Sequence, residues 1–320
     1  MDRRAFLKTL GRGAEALGAA WLLGSAVRAF AQAGTPIVSP SGVATESPIP
    51  SAFPDLVAVK GGIAASRVDA ALAAAGGISR FIQKGAFVVL KPNMGWDVRP
   101  ELAANTDPAV VKRIVELCLA AGARKVVVFD HTCDAWRAAY ANSGIERAAK
   151  DAGAEIAPAH AESYYQAVSN PAARTLRQAK VHELILEADV FINVPVLKNH
   201  GGAGMTCAMK NLMGAVWDRG YFHSRGLDTC IAEAPLLRRP DLNIVDAGKV
   251  MLSGGPRGSA ASRYSEQRLL LLSRDIVAVD VASARTLGPG PKAFEYIGKA
   301  AALGLGQSNL EKLSIRRIEL

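Results

Sequence analysis

Aromatic residues make up only 6% of the 320-residue chain, and cysteine occurs four times, at Cys118, Cys133, Cys207 and Cys230. The cysteines lie far apart with no C-x-x-C pair. That excludes a zinc ribbon and an iron–sulfur cluster held by this chain alone. Few aromatics, and no long Lys/Arg block, leave no stacking platform for single-stranded nucleic acid, so no nucleic-acid partner is expected. No G-x-x-x-x-G-K-[ST] loop and no dinucleotide fingerprint is present. Beyond the N-terminus nothing is apolar for long enough to cross a bilayer, and no permanent membrane span is expected. Cys118, in VVKRIVELCLAAGA, occupies an apolar helical position and reads as a small buried hydrophobe. Cys133 and Cys207 stay open between functional thiols and halves of a disulfide.

What is present begins at MDRRAFLKTL, where Arg3-Arg4 followed by Phe6, Leu7 and Lys8 matches the twin-arginine (Tat) export signature closely. A mildly apolar stretch from Leu10 to Val27 follows, diluted by glycines and Glu15 and too poor to anchor well. Two small-x-small cleavage sites come next, Ala29-Phe30-Ala31 and Ala31-Gln32-Ala33. Residues 1–33 therefore read as a signal peptide, with the Tat translocase as export partner and a periplasmic or extracytoplasmic destination. Its removal takes five basic and two acidic residues and lowers the formal charge from +9 to +6. The modest surplus suits a small anionic ligand. Residues 34–54, rich in Pro, Ser, Thr and Gly, read as a flexible linker, and residues 55–320 as the folded domain.

From Asp55 onward, short apolar runs alternate with helical stretches. Strands are expected at 56–60, 86–91, 125–130, 188–194, 242–246 and 269–272, and helices at 66–75, 109–121, 142–153, 276–287 and 291–303. This is an α/β pattern with a mostly parallel sheet flanked by helices. Between about Tyr164 and His182 the alternation weakens, which fits a small β-rich insert or second subdomain.

Polar residues collect just after the apolar strands: Lys91 and Asn93, Asp130 and His131, then Asn193, Lys198 and His200. In a parallel sheet these loops share one edge and converge on one crevice. The run NVPVLKNHGGAGMTCAMKNLMG is densest. Its glycines precede Thr206, read as the N-cap of a helix carrying Lys210 and Asn211, so free N–H groups and lysines would face an anion. Arg257, in the SGGPRG loop, is placed to clamp a carboxylate or phosphate. His200, His131 and Asp130 are the candidate catalytic groups. With Cys133 or Cys207 they also form a metal-competent set, although the spacing is not diagnostic. His160, His182 and His223 read as surface or packing residues.

These motifs, VVLKPNMG, TDPAVV, GARKVVVFD, ADVFINVPVLKNHGGAGMTCAMKNLMG, SGGPRG, DIVAVD and GLGQSNL, resemble the family catalogued as domain of unknown function 362. The resemblance covers most of the chain from Asp55 onward. It implies Lys91, Asn93, Asn193, Lys198, His200, Lys210 and Asn211 as signature positions. Members often carry export signals, and some add a ferredoxin-like module that is absent here. More faintly, Asp130-His131-Thr132 and the His-Gly-rich-Lys run resemble elements of the nickel-pincer lactate racemase family. Two functions follow as expectations. One is an exported enzyme acting on a small carboxylate or phosphate, with or without a metal ion or redox step. The other is a non-catalytic cofactor-binding or electron-transfer accessory protein docking on a redox partner.

Overall fold

In a computed structural model of the chain, residues 53–320 are described. The expected signal peptide, and the expected linker up to residue 52, lie outside them. The strands in chain order are Leu56–Lys60 (β1), Phe87–Pro92 (β2), Lys125–Val128 (β3), Glu155–Ile156 (β4), Tyr165–Ser169 (β5), Gln178–His182 (β6), Val190–Val194 (β7), Val196–His200 (β8), Gly204–Thr206 (β9), Leu242–Met251 (β10), Tyr264–Ser273 (β11) and Ile315–Glu319 (β12). The main sheet has the order β12-β1-β11-β10-β7-β2-β3-β4, with β8 branching from β10 and β9 pairing β8. Along that order only β11 runs against its neighbours; the other adjacent pairs are parallel. β5 and β6 form a separate antiparallel pair, the expected β-rich insert. The fold is the mixed α/β arrangement anticipated from the alternation.

The central strands are apolar runs because both faces are covered. Residues of β2 and β7 are buried throughout. Phe87, Val89 and Phe191 pack on one side of the sheet, with the helices Leu227–Glu233, Ile276–Leu287 and Glu295–Ala302. Val88, Leu90 and Ile192 pack on the other, with Ala64–Ala74 and Pro108–Ala120. The Pro108–Ala120 helix starts where its sequence says it should. Pro108 occupies the first turn, and the Asp107 carboxylate accepts the Ala109 N–H at 2.8 Å.

The chain order sets the site. From β2 it steps outward to β3 and β4, then returns across to β7 and β10 on the other side of β2. The β2/β7 junction is thus a topological switch point, and a crevice opens beyond the carboxyl ends of these strands.

Several local expectations change. The single helix expected at 142–153 is two, Trp136–Asn142 and Ile145–Asp151, because Gly144 between them adopts φ 74°. The short strands expected at 242–246 and 269–272 are the inner halves of two ten-residue strands joined as an antiparallel pair, with a bulge between Ala247 and Lys249. β4, β8, β9 and β12 add to the expected strands. The glycine-rich run after His200 is the turn of the β8–β9 hairpin, and the following helix is only Ala208–Asn211, with Cys207 rather than Thr206 as its N-cap.

Candidate functional site

A cleft of about 430 Å³ lies at the switch point. Lys91, Asn93, Asp130, His131, Lys198, His200, Lys210 and Asn211, all expected at the site, line it. Asn193 is buried beneath them, and Arg257 stands apart.

Lys91, at the end of β2, is fully buried, and its ammonium lies 2.7 Å from Asp130 Oδ1. Burial lowers its pKa and the Asp130 carboxylate opposes that shift. Asp130 Oδ2 accepts the Met94 N–H at 2.8 Å, which ties the loop after β3 to the loop after β2. The pair needs Gly214 beside it. A Cβ there would fall on the Asp130 carboxylate and within 2.8 Å of Lys91 Nζ. Lys91 is therefore a charge already compensated by the protein.

A row of amides crosses the sheet next to this pair. In register, Lys91 of β2 lies opposite Asn193 of β7, Asn193 opposite Asn243 of β10, and Asn243 opposite Ser273 of β11. Asn243 donates to the Ser273 carbonyl at 3.3 Å. Asn193 donates to Asn243 Oδ1 at 2.9 Å and to the Ala208 carbonyl at 3.0 Å. Asn211 donates to Asn193 Oδ1 at 2.9 Å and to the Lys91 carbonyl at 3.2 Å. Asn93 in turn donates to Asn211 Oδ1 at 3.0 Å. Because backbone carbonyls accept only, they fix which way each amide faces. The last link leaves Asn93 Oδ1 toward Lys198 Nζ, 3.3 Å away.

Lys198 is 1% exposed and has no carboxylate partner among the described residues. Its Nζ donates to the Ala104 carbonyl as well as to Asn93, and sits 5.8 Å from the Trp96 ring centroid. Burial, with Lys210 and Lys91 nearby, brings its pKa down to about 7. Lys210 is brought down to about 8, by burial first and then by Arg219 and Lys91. Among the described residues its ammonium makes no hydrogen bond or ion pair.

The two cleft histidines are set as opposite neutral tautomers. His200 Nδ1 accepts the N–H groups of Gly202 at 3.0 Å and Ala203 at 3.1 Å, so the ring proton resides on Nε2. Burial and the neighbouring lysines bring its pKa down to about 3. His131 Nδ1 faces the Val216 carbonyl at 3.2 Å and must donate to it, which leaves the lone pair on Nε2. Burial and then Arg219 lower its pKa to about 4, and its ring stacks on Trp217 at 5.1 Å.

These bonds alter the reading of the glycine-rich turn. Its N–H groups at Gly202 and Ala203 are taken by His200, and those of Ala208 and Met209 by the buried Asp280 carboxylate, at 2.7 and 3.1 Å. The lysine side chains, not a backbone nest, are what faces the cleft. Arg257 is not part of the cleft wall; it pairs with Asp134 at 3.1 Å and donates to the Asp97 carbonyl. Arg219, not singled out in the sequence, grips the loop after β3 through the His131 and Thr132 carbonyls and lies 3.2 Å from Cys133 Sγ. Trp96 and His223 also border the cleft, His223 at its exposed rim. Nothing around Arg219 or Trp96 in the sequence marks either one, because their roles depend on tertiary contacts. All four cysteines are free; Cys133 is exposed at the cleft, and Cys207 is buried, with its Sγ 3.1 Å from Ser283 Oγ. Among the described residues no three His, Cys, Asp or Glu side chains converge as a metal-holding set.

The model of the family described as "Domain of unknown function (DUF362)" matches residues 88–285, from β2 to the Ile276–Leu287 helix. The chain belongs to that family. The match contains every residue of the amide row and every cleft cation named above. A thylakoid-associated protein of Synechocystis is 28% identical to this DUF362 chain over 249 residues, 74% of each protein. Among solved structures, the lactate racemase apoprotein of Thermoanaerobacterium thermosaccharolyticum aligns with a TM-score of 0.41 at 12% identity. That alignment covers 66% of this chain and 54% of the racemase, so the chain spans about half of that protein's length.

Proposed function

We propose that this DUF362 protein is an exported enzyme whose cleft binds a small carboxylate or phosphate. The observation that carries the reading is Lys210. It borders the cleft without a protein partner among the described residues, whereas Lys91 is satisfied by Asp130 and Arg219 by carbonyl oxygens. Lys198, which no acid among the described residues pairs with, adds a second basic group to the same wall. A cleft with this balance, walled by Trp96 and Met213, favours an anion held away from bulk water.

The histidines divide the remaining work. His131 Nε2 is a hydrogen-bond acceptor for an O–H or N–H of the ligand, and His200 Nε2–H is a donor suited to an oxygen that gains negative charge. Neither needs to change tautomer to act. The twin-arginine segment, whose export role is part of the same proposal, delivers the domain already folded to the extracytoplasmic side.

Thermal unfolding with added phosphate, acetate or propionate checks the binding reading. The wild-type protein is expected to gain several degrees at saturating anion, and Lys210→Met to lose most of that gain. An unchanged gain in Lys210→Met would remove the basis for the site. Export is checked by cell fractionation, with the Arg3→Lys, Arg4→Lys pair expected to hold the precursor in the cytoplasm.

A further inference from the structure

Within the proposed anion cleft, the three lysines are not equivalent, and the difference is chemical. Lys91 is held against Asp130 at 2.7 Å and its Nζ is committed to that carboxylate. Lys210 has no partner among the described residues and keeps a charge for the ligand. Lys198 is 1% exposed at the wall of the cleft, lies over Trp96, and among the described residues donates to oxygen acceptors at Ala104 and Asn93.

A neutral amine has two N–H bonds and one lone pair. Lys198 has two acceptors in place, both carbonyl oxygens, and Asn93 cannot turn its nitrogen toward Lys198 without breaking the amide row. When both N–H bonds go to these acceptors, the lone pair is the one remaining feature of Nζ, and the cleft is the open space that Lys198 borders. Such an environment, buried and beside other cations, is the usual way to make a lysine nucleophilic.

We propose that Lys198 is a covalent catalytic residue that attacks the carbonyl carbon of a small oxo acid to form an imine, with Lys210 holding the acid group. The proposal rests on the anion-binding reading of the cleft. The Lys198 lone pair forms the C–N bond as the carbonyl π bond moves to oxygen. That oxygen departs as water, carrying one hydrogen from the amine and one proton drawn from solvent in the cleft, so Lys210 keeps its charge on the acid group. The iminium keeps the other N–H for a carbonyl acceptor, and no oxidant or reductant is needed. With its pKa near 7, Lys198 supplies the neutral amine at neutral pH. Its neutral fraction there is roughly a thousandfold greater than that of an ordinary lysine.

The test is reductive trapping. The full protein is incubated with pyruvate and cyanoborohydride near neutral pH, digested, and mapped by mass spectrometry, with propionate in parallel as an acid that has no carbonyl. The expected result is an adduct concentrated on the peptide carrying Lys198. It should be lost in Lys198→Arg and in wild type pre-saturated with propionate, and should form with a pH midpoint near 7. An adduct no greater at Lys198 than at surface lysines overturns the imine proposal, as does preferential labelling of Lys210 or Lys91. If propionate still raises the melting temperature in that case, anion binding stands by itself. If it does not, both readings fall. Circular dichroism of Lys198→Arg establishes that loss of the adduct is not loss of the fold.

Discussion

Asn93 turns its amide oxygen, not its nitrogen, toward Lys198 Nζ, because the nitrogen is committed to Asn211 at 3.0 Å. The orientation of a cleft side chain is thus decided at the Ser273 carbonyl on β11, through Asn243, Asn193 and Asn211. That relay gives Asn93 an electronic role as well as a packing one.

Substitutions at Asn93 should move the titration of Lys198 in opposite directions. Asn93→Asp places a carboxylate beside the amine and should raise the pH midpoint of its reaction with trinitrobenzenesulfonate by about 1–3 pH units. Asn93→Ala removes the oxygen and should lower the midpoint or leave it near 7. Both variants break the amide row and should lose stability alike, so a purely structural effect cannot produce the rise in one and not the other. Midpoints that rise together would sink the assignment.

The Lys91–Asp130 pair should behave as a buried ion pair does. Asp130→Asn strands a buried ammonium and is expected to cost about 3–5 kcal/mol in urea unfolding. Adding Lys91→Met should recover a large part of that loss, since the uncompensated charge goes with it. A double variant as unstable as the single one would mean that Asp130 acts through the Met94 N–H and not through Lys91.

The sequence pattern exposes the sheet and the cleft for the same reason. Doubly covered strands must be apolar, so Lys91, Asn93 and Asn193 stand out at the ends of FVVLKPN and VFINV, where the chain leaves the core. What the pattern hides are relations set by register and by long-range capping. Asn243 looks like an ordinary strand residue until β10 is laid beside β7, and Asp280 like an ordinary helix residue until its carboxylate meets Ala208 and Met209. Glycine-rich spacing suggests a backbone nest at Gly201–Gly204. The same spacing suits a hairpin turn, and only the bonds from Gly202 and Ala203 to His200 separate the two.

Asp280 should control ligand affinity without touching the ligand. Its buried carboxylate caps the four-residue helix that presents Lys210 and Asn211, and burial pushes its pKa up to about 6. Asp280→Asn keeps one acceptor oxygen in place of two, with an expected loss of about 1–3 kcal/mol. The phosphate-induced rise in melting temperature should shrink along with basal stability. Ser283→Ala serves as the control, because its hydroxyl lies on the same helix and meets Cys207 Sγ rather than the two N–H groups. That variant should lower stability and leave the phosphate effect intact. An undiminished phosphate effect in Asp280→Asn would show that Lys210 is positioned without it.

His200 should make the protein acid-labile in a defined window. Its ring is neutral in the folded state, with a pKa of about 3 against an ordinary 6.5. Below pH 6.5 the unfolded chain binds a proton that the folded chain excludes, so the contribution is fully present above 6.5 and is lost as pH falls toward 3. The limiting slope for one proton is about 1.4 kcal/mol per pH unit. Asp246 and Asp280, both raised to about 6 by burial, act with the opposite sign, since their folded forms hold protons more tightly and favour the acid side. The difference between wild type and His200→Asn isolates the histidine, because asparagine can accept from the Gly202 N–H but does not titrate. Urea unfolding at intervals from about pH 8 to about pH 4 should show parallel stabilities above the ordinary histidine pKa and a wild-type curve that falls faster below it. Parallel curves throughout would mean that His200 protonates in place and that the bonds from Gly202 and Ala203 do not fix its tautomer.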